Sequence, residues 1–295
     1  MMRDMFITAM CICLMTLAGC DKAKTDNDDF SANAKSTLAK MYPNATDVMW
    51  STKNGYYIAK FNNPVAVRSI NALKYDFSVW INNFGQWCMT ESEISYEALP
   101  KAVQDALRLS EYSGWKIDDI DKIERAGMET IYVIEVEYSS VNGEKEVDLY
   151  YSKDGVLIKT VFDVDHDYDY EDYLPSDAEP GVERAVLAKY PEATIIDIEY
   201  EDGEIEVEII HDGRGKDVYF NKAYEWLRTE WDVRRSEIPV AVLEFISKNW
   251  PSYSIDDAEF TETPGGEWYE IEIEKGDDEI KVMIAPNGKP LSNSI

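Results

Sequence analysis

The feature that most constrains the fold of this chain is an internal duplication. Trp87 and Trp226 lie in similar surroundings 139 residues apart, and residues 134–137 (Ile-Glu-Val-Glu) match residues 271–274 (Ile-Glu-Ile-Glu) at an offset of 137. The order of the matching segments is kept while the offset falls slightly along the chain. Such a pattern indicates one ancestral unit whose loops are shorter in the second copy. The two halves are therefore predicted to share one fold.

Each half is itself predicted to contain two repeats. A Tyr-Pro or Trp-Pro pair follows three of the four helical patterns, and proline cannot continue a helix. Between these patterns apolar and charged residues alternate, as in residues 205–209, which is typical of a strand with one buried face. Asn-Gly and Asp-Gly pairs between such segments indicate hairpin turns. The helical patterns lie near residues 31–41, 100–110, 181–190 and 239–249.

These observations predict an α+β fold of tandem helix-plus-antiparallel-sheet units. One unit is a helix followed by about four strands, and four such repeats form two domains. We expect the helices to cover one face of each sheet, while the other face meets solvent. The predicted boundaries are a signal peptide at residues 1–19, a lipidated cysteine with its tether at 20–30, a first domain at 31–163, an acidic linker at 164–174 and a second domain at 175–295.

The motifs of this chain resemble those of the PepSY-like family, which is related in fold to the beta-lactamase inhibitory protein. They are the aromatic-proline pairs, the Ile-Asp-Asp segments at 117–119 and 255–257, the Ile-x-Ile strands and a glycine turn before the next strand. The resemblance covers nearly all of residues 31–295. It departs at residues 221–224, where Asn-Lys-Ala-Tyr replaces the glycine turn. The resemblance implies a binding or inhibitory module in an exported bacterial protein, and it names no target.

The N-terminal segment predicts a lipid anchor. Arg3 is followed by an apolar run over residues 5–17, which is too short to span a bilayer and suits the hydrophobic region of a signal peptide. Residues 17–20 read Leu-Ala-Gly-Cys, the arrangement of a lipobox, so Cys20 is predicted to be lipidated and to become the first residue after cleavage. The alternative is an ordinary secretory signal with an incidental cysteine. We expect a protein of a Gram-negative-type cell envelope, on the periplasmic or outer-surface side, that touches the membrane only through this anchor.

The charge of the chain restricts its partners. It has 58 acidic and 29 basic residues, with a formal net charge of −29. This charge argues against nucleic acid and against anionic membrane surfaces, both of which would repel it. A basic envelope protein or enzyme, or cations, would instead be attracted. The alternative interpretation is that the charge only keeps the protein soluble.

The solvent face of the sheets is the first candidate site. Aromatic side chains amid charge can form an interface in which the aromatic residues provide most of the binding energy. The alternative is a solvated face kept soluble by glutamates, and a register shift of one residue would exchange the two faces. The predicted partner-binding residues are Trp80, Tyr150, Tyr219, Glu135, Glu137, Glu206, Glu208 and Glu272.

The acidic linker is the second candidate site. Asp163, Asp165, Asp167 and Asp169 alternate along it, and carboxylate oxygens are the ligands that calcium prefers. An EF-hand loop needs glycine at position six and glutamate at position twelve. This linker has Tyr168 and Leu174 there, so an extended, self-repelling linker is the favoured prediction and calcium the weaker one.

No catalytic motif is recognisable in the sequence. It has two histidines and lacks the spacings of known metalloprotease, hydrolase and phosphate-binding motifs, although its many carboxylates leave a glycosidase-like pair open. We therefore predict a non-enzymatic, protein-binding envelope protein, with inhibition of an enzyme as one form of that function, and no cofactor. The alternative is a cation-binding or structural envelope protein that uses its acidic surface.

Overall fold

The computed structural model describes residues 30–64, 76–140, 143–162, 170–175, 179–201, 203–276 and 278–291. Its helices are α1 (Ala32–Met41), α2 (Lys101–Leu109), α3 (Pro180–Lys189) and α4 (Val240–Asn249). The strands of the first half are β1 (Thr46–Lys53), β2 (Tyr56–Asn62), β3 (Phe77–Ile81), β4 (Trp87–Glu93), β5 (Lys116–Arg125), β6 (Ile131–Ser140), β7 (Gly143–Ser152) and β8 (Leu157–Phe162). Those of the second half are β9 (Thr194–Glu201), β10 (Glu204–His211), β11 (Arg214–Asn221), β12 (Trp226–Asp232), β13 (Ser254–Thr263), β14 (Gly266–Lys275) and β15 (Asp278–Ile284).

The strands form two antiparallel sheets. Sheet 1 contains β1 to β8 and sheet 2 contains β9 to β15, and in both sheets each strand pairs with its neighbours in sequence. In the sequence, α2 lies between β4 and β5, and α4 lies between β12 and β13. The two strands on either side of each helix still pair with one another in the sheet. The prediction of an α+β fold is thus confirmed, whereas the number of repeats and of domains stays a prediction.

The helices pack on one face of each sheet, as their periodicity predicts. On α1, Ala34 and Leu38 are one turn apart and both are buried against the sheet. Val79 and Ile81 alternate along β3 and face the same cluster. The side of each sheet opposite its helices is called its open face below.

A buried threonine ties the end of a helix to each sheet. The indole Nε1 of Trp87 donates to Oγ1 of Thr90 at 2.8 Å, and the hydroxyl of Tyr42, the first residue after α1, donates to the same oxygen at 3.1 Å. The tyrosine of the Tyr-Pro pair therefore anchors the helix end as well as preceding the proline that ends it. The second half repeats these contacts with Trp226, Tyr190 and Thr229, at 2.9 and 2.7 Å.

A glycine turn packs against the beginning of a helix. Gly155, between β7 and β8, has a φ of +78°, and a Cβ atom there would lie 2.5 Å from the carbonyl oxygen of Ala102, the second residue of α2. Glycine is needed both for the positive φ and for this close approach of two backbones. Gly85 and Gly288 lie in the same way against Asn33 of α1 and Ala241 of α4.

In the third turn, at residues 221–224, the glycine is on the helix and the larger side chain is in the turn. Tyr224 stands in the turn with a φ of +61°, and the second residue of α3 is Gly181. A Cβ atom on Gly181 would overlap the ring of Tyr224, whose hydroxyl donates to the Glu179 carboxylate. The glycine has thus moved from the turn to the helix, and the same close contact is kept with a larger turn residue.

Replacing Gly155 by alanine should destabilise the fold more than the same change at a glycine with free space around it. We expect Gly155→Ala to lower the free energy of unfolding by about 2–4 kcal/mol, since it adds a backbone clash to the cost of a positive φ. Gly213 has a φ of +72° and no atom within 4 Å of the place that a Cβ atom would take, so Gly213→Ala is the control, with an expected loss of about 1 kcal/mol. Urea unfolding followed by tryptophan fluorescence measures both, and equal losses would contradict the contact.

The open face of sheet 1 is covered by the chain itself. Trp80 and Tyr150 lie on this face and are 0% and 2% exposed. The ring of Tyr173 stacks on Tyr150 with the centroids 5.7 Å apart, and Ile196 of sheet 2 packs into the same cluster. The expectation that this face meets solvent is therefore wrong for Trp80 and Tyr150, because such large apolar side chains gain free energy from being covered.

The covering segment is the last part of the predicted acidic linker. Residues 171–173 form a short 3-10 helix, and both Tyr170, which precedes it, and Tyr173, its last residue, are buried. The hydroxyl of Tyr170 donates to Asp121 at 3.0 Å. The prediction of an extended, solvated linker is wrong for residues 170–174, since their aromatic side chains pack on the sheet. Phe30, at the end of the predicted tether, is also buried and stacks on Trp50 at 5.8 Å.

A buried ion pair joins the two sheets. Nη1 of Arg125 on β5 lies 3.4 Å from Oδ1 of Asp197 on β9, with both side chains almost fully buried. Burial lowers the pKa of Arg125 and raises that of Asp197 to about 7, so the loss of solvation outweighs the attraction of the pair. Arg125 also lies 5.3 Å from the ring centroid of Tyr173 and donates to the carbonyl oxygen of Glu129. The pair therefore fixes the position of the second sheet more than it adds to stability.

Candidate functional site

The open face of sheet 2 is built on the same strand register as the covered face of sheet 1. In sheet 1, Ile58, Trp80 and Met89 stand opposite one another on β2, β3 and β4. In sheet 2 the corresponding row on β10, β11 and β12 is Glu206, Tyr219 and Arg228. An apolar row that the chain must cover is thus replaced by a polar row that can remain in water, and all three of its residues are partly exposed.

Tyr219 and Arg228 form a stacked pair on this face. The guanidinium carbon of Arg228 lies 3.4 Å from the ring centroid of Tyr219, within the range of a cation–π contact. The same guanidinium pairs with Glu204 at 2.7 Å and Glu230 at 3.0 Å. Burial, and then the charge of Glu206, raise the pKa of Tyr219. These contacts hold a flat aromatic–cationic surface in a fixed orientation.

Carboxylates stand directly opposite one another on the neighbouring strands. Asp232 of β12 opposes Glu259 of β13, and Glu259 in turn opposes Glu270 of β14. Like charges at such positions destabilise a sheet. Burial, followed by repulsion from Glu230 and its neighbours, raises the pKa of Glu259 to about 7. The face therefore carries crowded negative charge that a cationic group would relieve.

Part of this charge is already compensated at the edge of the sheet. Nζ of Lys281 on β15 lies 3.2 Å from Glu272 and 3.7 Å from Glu270. Two partly exposed apolar side chains lie next to Glu270 on the same face, Trp268 two residues before it on β14 and Met283 opposite it on β15. The face thus combines aromatic and aliphatic surface with carboxylates.

The structure divides the predicted partner-binding residues between the two sheets. Tyr219, Glu206 and Glu272 share the open face of sheet 2 and are partly exposed. Glu208 is on the same side but is buried where the sheets meet, 3.4 Å from Lys159 of β8. The others, Trp80, Tyr150, Glu135 and Glu137, belong to sheet 1.

The sequence argument missed three residues of this face. Arg228, Trp268 and Met283 lie among the predicted residues once the register is known. For Trp268 a signal was available, because it has the same parity along β14 as Glu270 and Glu272 and therefore points to the same side. Arg228 and Met283 required the pairing between strands, which their own segments do not show.

The predicted calcium ligands Asp163, Asp165, Asp167 and Asp169 lie outside the described residues. Within the part of the chain that the structure describes, no group of three or more His, Cys, Asp or Glu side chains is arranged to hold a metal ion. In that same part, no helix is both long and apolar enough to cross a membrane.

The comparison with protein families agrees with this architecture. The family model described as "Putative beta-lactamase-inhibitor-like, PepSY-like" matches residues 55–159 and 209–291. The chain belongs to this family. The two matched segments lie in the two sheets, and the resemblance predicted from the sequence motifs is confirmed.

Several solved structures are similar to one half of this PepSY-like chain. A DUF2874 family protein from Bacteroides ovatus is 33% identical, with a TM-score of 0.38, and the match covers 46% of this chain and 89% of that one. A BLIP-like protein from Bacteroides fragilis is 32% identical with a TM-score of 0.40, and covers 48% and 91%. A third, described as "putative periplasmic proteins" from Bacteroides eggerthii, is 22% identical with a TM-score of 0.37, and covers 45% and 88%. No match was found among curated proteins.

The crowded carboxylates predict that stability falls as the pH rises. Glu259 and Asp197, each with a pKa of about 7 in the folded protein, titrate in the unfolded chain near 4.5 and 3.8. Between those values and pH 7 the folded state binds more protons than the unfolded state, so the free energy of unfolding decreases with rising pH. We expect the Tm to be a few degrees higher at about pH 5.5 than at about pH 8.

Two variants make this prediction specific. Glu259→Gln should reduce the difference in Tm between the two pH values, because it removes one of the shifted carboxyls. Glu267→Gln, at an exposed position of the neighbouring strand β14, should leave the difference unchanged. Calorimetry of the three proteins measures the effect, and a higher Tm at the alkaline pH for the unmodified chain would show that these carboxylates are not crowded.

Proposed function

We propose that this protein is a lipid-anchored protein of the bacterial envelope that binds another protein without catalysing a reaction, through the open face of sheet 2. The observation that carries the proposal is the row of opposed carboxylates, Asp232, Glu259 and Glu270, left on an uncovered sheet face. A partner that presents lysine or arginine there would relieve their repulsion and would gain speed of association from the long-range field. Inhibition follows where the partner is an enzyme whose active site is covered.

The apolar and aromatic surface of the face supports a protein as the partner. Tyr219, Trp268 and Met283 provide contact area, and aromatic residues are enriched among those that dominate binding energy. Arg228 holds the ring of Tyr219 in place, so little side-chain freedom is lost on binding. A face that only kept the protein soluble would need none of these side chains.

The anchor and the envelope location rest on the sequence. Residues 17–20 have the lipobox arrangement that would attach a lipid to Cys20, and they lie outside the described residues. A multiply acylated cysteine would hold the protein on a membrane with no spanning segment. The folded part would then be presented to partners in the same compartment.

We also propose that the chain consists of four repeats in two domains, at residues 31–163 and 175–295. The repeated contacts support this division. The second residue of each helix packs against the turn that follows a later strand, at Gly85, Gly155, Tyr224 and Gly288. The buried threonines Thr90 and Thr229 occupy the same place in the two halves.

Affinity capture with matched variants tests the protein-binding function. The chain, immobilised in mild detergent, is exposed to detergent-solubilised envelope extract at low and high salt, and bound proteins are identified by mass spectrometry. We expect one stoichiometric, salt-sensitive partner with a basic surface. Its yield should fall about tenfold in the double variant Glu259→Gln with Glu270→Gln, since both charges face the partner.

The control removes the same number of charges elsewhere. Glu183 of α3 and Glu244 of α4 are exposed on helices that pack on the opposite side of sheet 2, so Glu183→Gln with Glu244→Gln should retain the partner. Equal loss in both double variants would mean that only net charge matters. The absence of any enriched protein at either salt concentration would contradict the proposal and favour the cation-binding or structural alternative.

A further inference from the structure

A cleft of about 1010 Å³ opens between the two halves at the ends of strands β8 and β12. One wall comes from the first half, with Leu109 and Tyr112 at the end of α2 and Phe162 at the end of β8. The other wall contains Asp232 and Asp257 from the strands β12 and β13. Asp232 belongs to the carboxylate row described above, so the cleft shares this residue with the open face of sheet 2. Leu243, Ile255 and Ala258 of the same lining belong to the cluster beneath α4.

The first wall leaves large apolar side chains in water. Leu109 is 78% exposed and Phe162 is 42% exposed, although both belong to residue types that are usually buried. Exposed apolar surface next to a concave site is a common sign of an interaction surface.

The second wall carries negative charge without an ion-pair partner. Solvent reaches Asp232, yet the cleft walls reduce its solvation, and with the charge of Asp257 they raise the pKa of Asp232 to about 6, which the charge of Arg214 offsets only in part. Burial and the charge of Glu272 also raise the pKa of Asp257. Among the described residues, neither carboxylate has a lysine, arginine or histidine within ion-pair distance.

The other charges that line the cleft are paired or balanced. Arg214 pairs with Glu237, and Arg234 approaches the same carboxylate at 3.3 Å. Asp256 pairs with Lys145 of β7 at 2.9 Å. Two side chains of opposite sign, Glu111 and Arg235, complete the charged lining. Since Arg214 and Arg234 share the one carboxylate of Glu237, the charged lining with Lys145 has four positive and five negative charges, a net charge of −1. Asp232 and Asp257 are carboxylates of this lining that have no ion-pair partner among the described residues.

We infer that this cleft receives a loop of the protein partner that carries a lysine or arginine flanked by apolar side chains. The cation enters between Asp232 and Asp257, and the apolar neighbours pack on Leu109 and Phe162. A charged group bound in a pocket and surrounded by apolar contact is the usual arrangement of a residue that dominates an interface. The inference rests on the proposed protein-binding function, since the same partner would extend over the open face of sheet 2.

Fluorescence anisotropy with short peptides tests the inference on the full chain in mild detergent. The probe is a fluorescein-labelled peptide of sequence Phe-Leu-Lys-Leu-Phe, and its partner probe has norleucine in place of lysine. We expect saturable binding of the lysine peptide, and binding of the norleucine peptide that is about tenfold weaker. Binding of both peptides with equal affinity would overturn the inference.

Variants of the two walls locate the binding. Asp232→Asn with Asp257→Asn should weaken the lysine peptide about tenfold, and Leu109→Ser should weaken both peptides, because its side chain is exposed and its loss leaves the fold intact. Glu183→Gln with Glu244→Gln is the control and should bind as the unmodified chain does. Unchanged affinity in the Asp232 and Asp257 double variant would overturn the inference.

The same variants separate this inference from the proposed function. If capture of the envelope partner falls in the Glu259 and Glu270 double variant but is unchanged in the Asp232 and Asp257 double variant, the cleft inference fails while the binding face stands on Glu259 and Glu270. If the lysine peptide binds in the cleft as described but no envelope protein is captured, the cleft is supported and the proposed partner on the face is not.

Discussion

Tyr170 and Tyr173 pack on the open face of sheet 1, and this contact closes that face to any partner. Tyr173 stacks on Tyr150 and lies beneath the cations of Arg125 and Lys159. Burying a large apolar side chain is worth about 2–3 kcal/mol, so Trp80 and its neighbours would be costly to expose. The chain therefore uses the open face of sheet 1 for its own assembly, and the Arg125–Asp197 pair sets how the second sheet is placed on it. We propose the open face of sheet 2 and the cleft beside it for a partner, because the described part of the chain does not cover them in this way.

The two sheets have similar strand register, but the faces opposite their helices differ in exposure. The strand register is the same in both, but the row Ile58, Trp80 and Met89 is apolar and the row Glu206, Tyr219 and Arg228 is polar. A change of side chains on the face opposite the helices is therefore enough to turn a covered surface into an exposed one. The face beneath the helices is apolar in both sheets, and the fold is the same. The third turn is a smaller example of a side-chain change within the same fold, because Gly181 on the helix leaves room for Tyr224 in the turn.

Periodicity predicted the four helices and, for the partner-binding residues named from the sequence, the side of the sheet to which they point. It placed Tyr219, Glu206 and Glu272 together on one face, and it placed Trp80 on the open side of β3. It could not predict exposure, because alternation along a strand does not say what lies above the sheet. The many aspartates of the linker led to the prediction of an extended segment. That prediction gave no weight to Tyr170 and Tyr173, whose aromatic rings determine where the segment packs. Arg228 and Met283 entered the site only through strand pairing, which is a long-range property.

Hydroxyl-radical footprinting with mass spectrometry tests most directly whether the chain covers one open face and leaves the other free. Tryptophan, tyrosine and methionine side chains are present on both faces, so the unmodified protein serves as its own control. We expect Trp80, Met89 and Tyr150 to remain unmodified at doses that oxidise Tyr219, Trp268 and Met283. Oxidation of Trp80 and Met89 at rates comparable to those of Trp268 and Met283 would show that the open face of sheet 1 is not covered, and would contradict the account.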